Sequence, residues 1–192
     1  APAVAATLRA AADRLADAGW EVVERPCPPL RRAARAQMAL WLSEALRAAP
    51  ESVALEGDAD AIEVWARLVA LAPPLSLESL TDALQERAAI ARAWRLFLTE
   101  HAVALLPTSG QPPFPDHADL DGPAAFAGLY EAQLTQIGLP LTGLPALAVA
   151  TGLADGLPAG VQLVAAPFRE DLLFDAAAPL AGDAPGLWRG GA

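Results

Sequence analysis

The sequence from Gly143 to Leu173, GLPALAVATGLADGLPAGVQLVAAPFREDLL, alternates apolar runs with closely spaced glycine and proline. The glycines and prolines limit each apolar run to the length of a strand, because proline lacks a backbone donor and glycine favours turns. Two strands are therefore predicted, over residues 144–150 and 159–164, and the connector between them contains the turn-forming Asp-Gly pair at 155–156. A closing helix is predicted over residues 170–180.

An uncharged stretch over residues 132–154 is long enough to be scored as a membrane-spanning helix. Five glycines and prolines interrupt it, and they break one continuous helix too often. A buried loop followed by a strand is the better interpretation, so no membrane association is predicted. The chain also opens without the basic and apolar regions of a secretory signal.

Helical periodicity dominates the first hundred residues. Apolar residues spaced by three and four predict a helix over residues 4–18 with Gly19 at its end, and residues 20–24 are predicted to form a strand. A helix that runs into one strand, with no strand before it, is typical of the second half of a βαβ unit, so we expect the chain to start within a domain. Further helices are predicted over residues 31–48, over 60–71 with Asp58 or Asp60 as cap, from a cap at Ser79 or Thr81 to about residue 100, and over 124–136.

The periodicity changes after His101. An apolar run over residues 102–106 has the length of a buried strand and stops at Pro107. Residues 108–123 contain four prolines and are predicted to form no regular structure. Long ordered loops of this kind are often functional.

The composition excludes several classes of function. With 23 acidic and 13 basic residues, the net charge of -10 repels phosphate backbones, so no nucleic-acid partner is expected. One cysteine and two histidines leave no internal disulfide and no metal-ligand spacing, and neither a metal nor another cofactor is predicted. A length of 192 residues predicts a single folded unit over residues 1–192. Because a single cysteine allows no internal disulfide, the cytoplasm is the expected compartment.

Four motifs follow one another in the second half of the chain: Leu106-Pro107-Thr108, Thr142-Gly143-Leu144-Pro145, Gly156-Leu157-Pro158-Ala159-Gly160-Val161-Gln162 and Phe168-Arg169-Glu170-Asp171-Leu172-Leu173. In this order and spacing they resemble the C-terminal part of the amidase signature hydrolases. Residues 3–24 resemble the helix, glycine and strand that follow the signature region of that family. The resemblance implies an α/β fold with a mixed sheet flanked by helices, in an enzyme that hydrolyses amides with a neutral lysine and two serines.

The catalytic groups implied by the resemblance have no counterpart in this chain. It contains no lysine, and none of its five serines stands in a Gly-Ser-Ser or Gly-x-Ser-x-Gly context. No catalytic residue is therefore assigned. We expect the chain to be inactive alone and to have the missing N-terminal part of the amidase as its partner. The alternative is a non-catalytic interaction or regulatory module that kept the fold, and homodimerisation is left open.

The resemblance also implies that this chain forms the wall of the acyl pocket for a small-molecule amide. The loop after the Pro-Thr step and the helix before the Gly-x-Pro turn approach the nucleophile in the family. The candidate substrate-binding residues on these segments are Thr108, Phe114, Gln133, Gln136 and Ile137. An apolar wall with a few polar tips favours a neutral aryl or alkyl amide.

Two residues depart from the family pattern. Pro140 stands where the family commonly has asparagine, which removes a side-chain amide and a backbone donor. Gln133 stands where glutamine-amidating members carry an acidic ligand for the substrate amine. Recognition of an amino-acid zwitterion is therefore not expected.

Other reactive side chains favour structural interpretations. Ser109 and His117 lie with three aspartates in the proline-rich loop, but neighbours within a loop rarely meet as nucleophile and base. Cys27 and His101 form a weaker candidate pair, since only Arg25 is close enough in sequence to lower the pKa of the thiol. The arginines at positions 31, 32 and 35 are expected to form a solvated helix face rather than an anion site.

Overall fold

The computed structural model describes residues 1–72 and 75–181. It confirms an α/β fold in which helices predominate. The elements in chain order are α1 (Pro2–Asp17), α2 (Leu30–Ala45), α3 (Ala49–Glu56), α4 (Ala59–Leu71), α5 (Leu77–Glu100), β1 (Val103–Pro107), α6 (Pro123–Ala132), α7 (Leu134–Gly138), a 3₁₀ turn (Leu139–Thr142), β2 (Ala146–Ala154), β3 (Leu157–Ala165) and α8 (Glu170–Ala177).

The chain divides into two compact units. Unit 1 comprises Ala1–Cys27, Trp94–Pro113 and the described residues from Gly143 onward, and unit 2 comprises Pro28–Ala93 and Phe114–Thr142. Neither unit is a continuous stretch of sequence. The division therefore does not test the expectation that residues 1–192 fold as a single unit, which stays a prediction.

Unit 1 is built on an antiparallel three-stranded sheet in the order β1, β3, β2. Leu163 of the central strand pairs with Leu105 on one side and with Leu147 on the other. Because side chains alternate along a strand, these three leucines share one face of the sheet. Helices α1 and α8 contribute to the buried cluster on this face, which consists of Ala11, Leu15, Val149, Val161, Leu163, Ala165, Leu173, Ala176 and Leu180.

The predicted hairpin is present and is tighter than the sequence indicated. Asp155 and Gly156 have φ of 52° and 79°, the pair of positive values that a two-residue type I′ turn requires. The two strands continue into the predicted connector, and a bulge between Ala150 and Gly152 absorbs the change of register.

The prediction of a strand over residues 20–24 is wrong. The segment is described as neither strand nor helix, and Val22 and Val23 are 43% and 46% exposed. A strand is defined by the ladder it forms with a neighbour, and no described strand pairs with this segment. The apolar pattern of residues 20–24 was therefore not sufficient to predict a strand. The helix before it is confirmed, with Gly19 at φ 95° just beyond its end.

Unit 2 is helical, and its first helix is shorter than predicted. Helix α2 ends at Ala45, and Pro50 lies in the first turn of α3, a helix that was not predicted. Proline suits a first turn because the donor it lacks would be unpaired there in any case. Pro50 therefore marks the start of a second helix as well as the end of the preceding turn.

The predicted N-terminal cap is present on α4 but not on α5. The Asp58 carboxylate accepts from the backbone N–H groups of Asp60 and Ala61, at 2.8 and 3.1 Å, which confirms one of the two predicted caps of α4. The cap of α5 is neither Ser79 nor Thr81. It is Ser76, whose hydroxyl accepts from the N–H of Ser79 at 3.2 Å because Ser76 directly precedes the helix.

The helix predicted over residues 124–136 is divided in two. Gln133, at φ -98° and ψ 13°, separates α6 from α7. Helix α7 then runs past the start of α2, where Gly138 is buried. A Cβ atom at Gly138 would lie 2.9 Å from the Leu30 carbonyl oxygen and 3.2 Å from Cβ of Ala33.

Replacing Gly138 with alanine is expected to destabilise the chain by about 1–3 kcal/mol, because the added methyl meets backbone that cannot easily move. Gly128→Ala on α6 is the matched control, since a Cβ there meets nothing within 4 Å. That control should stabilise the chain by up to about 1 kcal/mol through helix propensity. Urea unfolding of both variants measures the difference, and equal stabilities would contradict the close approach of α7 to α2.

Candidate functional site

A cavity of about 930 Å³ opens within unit 2. Its size falls in the range of pockets that hold small organic ligands. The residues that line it come from α2, the turn between α2 and α3, the start of α3, α4, the loop before α6, α6, the break at Gln133 and α7. They are Met38, Trp41, Leu42, Glu44, Ala45, Arg47, Ala48, Ala49, Val64, Leu68, Asp119, Phe126, Leu129, Tyr130, Gln133 and Ile137.

Helical periodicity explains how these side chains come to line one wall. On α2, Met38, Leu42 and Ala45 are spaced by four and three residues and share a face. Phe126 and Tyr130 have the same relation on α6. Met38 and Leu42 are 6% and 4% exposed, whereas Trp41 is 52% exposed. The lining therefore combines deeply buried apolar side chains with a half-exposed tryptophan.

Polar side chains are few and lie among apolar neighbours. Gln133 brings an amide and Tyr130 a phenol, both uncharged at neutral pH. The charged residues of the lining are Glu44, Arg47 and Asp119. The wall can thus surround an apolar group and offer neutral hydrogen-bonding groups to a polar end.

Arg67 holds the loop that brings Asp119 to the cavity. Its guanidinium donates to the backbone carbonyl oxygens of Asp119 and Leu120, the latter at 3.2 Å, and its Nε donates to Glu63 at 2.8 Å. The Arg67 side chain is only 12% exposed. Charge-assisted hydrogen bonds to backbone fix the loop without any regular structure.

Burial raises the pKa of Tyr130, and the nearby carboxylate of Glu131 raises it further, against smaller opposing effects of Arg35 and Arg31. Desolvation disfavours the phenolate. The Tyr130 side chain is therefore a neutral hydroxyl throughout the physiological range, able both to donate and to accept a hydrogen bond.

The predicted site residues fall in different places. Gln133 and Ile137 line the cavity, one at the break between α6 and α7 and the other on α7. Gln136 is exposed on α7, and Phe114 is half-buried in the loop of unit 2; neither is among the lining residues. Thr108 belongs to unit 1, where it follows β1 and is half-buried. The assignment of these five residues to substrate binding stays a prediction.

Sequence reasoning missed most of this wall. Trp65 packs on the apolar cluster of Met38, Leu42 and Ala72. The spacing of Phe126 and Tyr130 on one helix face was the available signal. It could not show that residues of α2 line the same cavity.

The other reactive side chains are held in structural contacts. Burial raises the pKa of the Cys27 thiol, which disfavours the nucleophilic thiolate. His101 packs on Phe97 with ring centroids 4.6 Å apart, and the exposed His117 lies 3.6 Å from the Asp116 carboxylate. Arg31 and Arg32 are paired with Glu131 and Glu86, as expected of a solvated helix face.

Two buried polar atoms of unit 1, Nε1 of Trp94 and Oε1 of Gln162, have no hydrogen-bond partner in the described structure. Among residues 1–72 and 75–181, no cluster of three histidine, cysteine or acidic side chains could hold a metal ion. Within the same residues, no helix is long and apolar enough to cross a membrane.

The only tyrosine of the chain makes the environment of the cavity measurable. Folding raises the pKa of Tyr130 above its ordinary value of 10.0. Its contribution to the free energy of unfolding is therefore fully present below pH 10.0 and is lost as the pH rises through the pKa of the folded chain. The phenolate absorbance of the folded chain should therefore appear at higher pH than that of the unfolded chain. Tyr130→Phe should abolish the signal, and identical folded and unfolded titrations would contradict burial of the ring.

Comparison with known proteins relates the chain to one family. The amidase family profile matches residues 1–174. An indoleacetamide hydrolase of Bradyrhizobium japonicum is 31% identical over 180 residues, which cover 93% of this chain and 39% of that protein. A second indoleacetamide hydrolase, from Bradyrhizobium diazoefficiens, is also 31% identical over 180 residues, covering 93% of this chain and 34% of that protein.

Solved structures share the fold. The 6-aminohexanoate cyclic dimer hydrolase complexed with substrate superposes with a TM-score of 0.71 at 24% identity, covering 96% of this chain and 42% of that one. The urea amidolyase of K. lactis gives a TM-score of 0.75 at 23% identity, covering 92% and 11%. The chain thus spans less than half the length of each of these relatives. The resemblance of the four motifs is confirmed, because the family profile follows almost the whole chain: this protein belongs to the amidase family.

Proposed function

We propose that this chain forms the substrate-pocket part of an enzyme that hydrolyses carbon–nitrogen bonds of amides. The observation that carries the proposal is the family match over residues 1–174, together with 93% coverage of this chain by an indoleacetamide hydrolase. A match along nearly the whole chain supports a shared role for the part of the enzyme that this chain represents.

The attacking and proton-transferring groups are proposed to come from polypeptide outside this chain. The sequence has no lysine, and no serine stands in the contexts that the resemblance requires. Amide hydrolysis by a serine needs a nearby base and donors for the oxyanion. This chain is accordingly the C-terminal part of the enzyme, and it is inactive when separated from the remainder.

The proposed pocket wall comprises Thr108, Phe114, Gln133, Gln136 and Ile137. Support for two of them comes from the cavity of unit 2, which Gln133 and Ile137 line. The neutral amide of Gln133 cannot pair with a substrate ammonium as a carboxylate would. An uncharged amide is therefore the preferred substrate class, in agreement with the aryl amide in the name of the indoleacetamide hydrolase.

The purified 192-residue chain should hydrolyse no amide above background. Activity should appear when the chain is joined to the remainder of the enzyme encoded upstream, because only then are nucleophile and base present. Ammonia release measures amide hydrolysis by the isolated chain and by the joined enzyme. Hydrolysis by the chain alone would contradict the proposal that the catalytic groups lie outside it. An upstream sequence without a lysine and tandem serines would favour the non-catalytic module.

Ile137→Ala in the full-length enzyme should change the preference between amides of long and short acyl groups by about tenfold in kcat/KM, because a hydrophobic wall discriminates through lost or gained contact. Ile62→Ala on α4 is the control, since Ile62 is 46% exposed and does not line the cavity. Phe114→Ala tests the loop in the same way. Unchanged specificity in Ile137→Ala would remove this residue from the pocket.

A further inference from the structure

Helices α3 and α4 border the cavity of unit 2 but are only lightly packed. Neither helix contains a buried residue, and Leu55 of α3 is 87% exposed. Val64 and Leu68, spaced by four residues on α4, line the cavity and are half-buried. We propose that these two helices, residues 49–71, form a cover that swings open and closed at the cavity, and that Arg67 is the latch that holds the cover closed.

Both ends of the cover are tied to α2. Helix α3 follows α2 after the turn at residues 46–48, and beyond α4 the Leu75 N–H donates to Oγ of Ser43 on α2, at 3.1 Å. Helices as short as α3 and α4, with 8 and 13 residues, are marginally stable by themselves. The cover therefore depends on its contacts with the rest of unit 2, and a segment with few buried contacts opens at a small cost in free energy.

Arg67 makes the polar contacts that hold the cover. In the described part of the chain, it is the only side chain of α3 or α4 that hydrogen-bonds to a residue distant in sequence. Its guanidinium donates to the backbone carbonyl oxygens of Asp119 and Leu120, in the loop before α6. The Arg67 side chain is 12% exposed, and charge-assisted hydrogen bonds are the stronger kind. Without these bonds, the apolar packing of Trp65 and Leu68 on α2 remains to hold the cover.

The shape of the guanidinium suits a latch. Its Nε donates to Glu63 on the same helix at 2.8 Å, while the two terminal nitrogens each donate to one carbonyl oxygen of the loop. Glu63 thus orients the planar group towards the loop. A lysine ammonium keeps the charge but cannot reproduce this fork. Closure should therefore weaken in the order Arg67, Arg67→Lys, Arg67→Gln.

Hydrogen exchange of the 192-residue chain, followed by mass spectrometry, tests the cover. Amides of α3 and α4 should exchange at least about tenfold faster than amides of α2, because local opening releases the cover but not α2. Arg67→Gln should accelerate α4 and the Asp119 loop at least about tenfold further, since hydrogen bonds to a charged group are lost. Arg92→Gln, at an exposed position on α5 of the same unit, is the control and should change neither.

Thiol labelling tests whether opening gives access to the cavity. In a Cys27→Ser background the chain has no other cysteine, so a single reporter can be placed. Leu42→Cys reports on the cavity, where Leu42 is 4% exposed, and Leu15→Cys reports on the core of unit 1, where Leu15 is 6% exposed. Arg67→Gln should speed labelling at position 42 at least about tenfold, Arg67→Lys by less, and neither should change labelling at position 15. Circular dichroism verifies that each variant folds.

Three results would overturn the inference. They are exchange of α3 and α4 as slow as that of α2, unchanged labelling at position 42 in Arg67→Gln, and equal acceleration at positions 42 and 15, which would show unfolding of the whole chain. No amide is hydrolysed in these measurements. Their failure therefore leaves the proposed amide hydrolysis standing, and a full-length enzyme without amidase activity would leave the latch standing.

Discussion

Helix α7 can lie against the first turn of α2 only because Gly138 has no side chain. Any Cβ there would come within 2.9 Å of a backbone oxygen of α2. The close approach places Ile137 on the same apolar cluster as Met38 and Leu42. The wall of the candidate site depends on this contact.

The cavity combines a hydrophobic interior with neutral polar groups. The phenol of Tyr130 is protonated at neutral pH, since burial raises its pKa still further above the ordinary value of 10.0, and the Gln133 amide is uncharged. We propose that such a wall selects the apolar group of an amide substrate without taking part in bond cleavage. This fits a chain that has no lysine and matches amidase relatives more than twice its length.

Elements with local signals were predicted well. The Asp155-Gly156 turn and the glycine after α1 depend on a few adjacent residues and were correct, and Asp58 is one of the two caps predicted for α4. The prediction of a strand over residues 20–24 was wrong because a strand needs a neighbouring strand to hydrogen-bond with, and no described strand pairs with this segment. Helix α3 was missed because a proline that ends one helix can equally open the next.

The sequence by itself determined the family, the α/β class and the absence of lysine, because motif order and composition are properties of the chain alone. It also indicated Gln133 and Ile137 as candidate pocket residues. Only the tertiary structure decided that Met38, Trp41 and Leu42, some ninety residues earlier in the chain, line the same cavity. Helical periodicity shows which residues share a face, but the partner of that face is set by packing between distant segments.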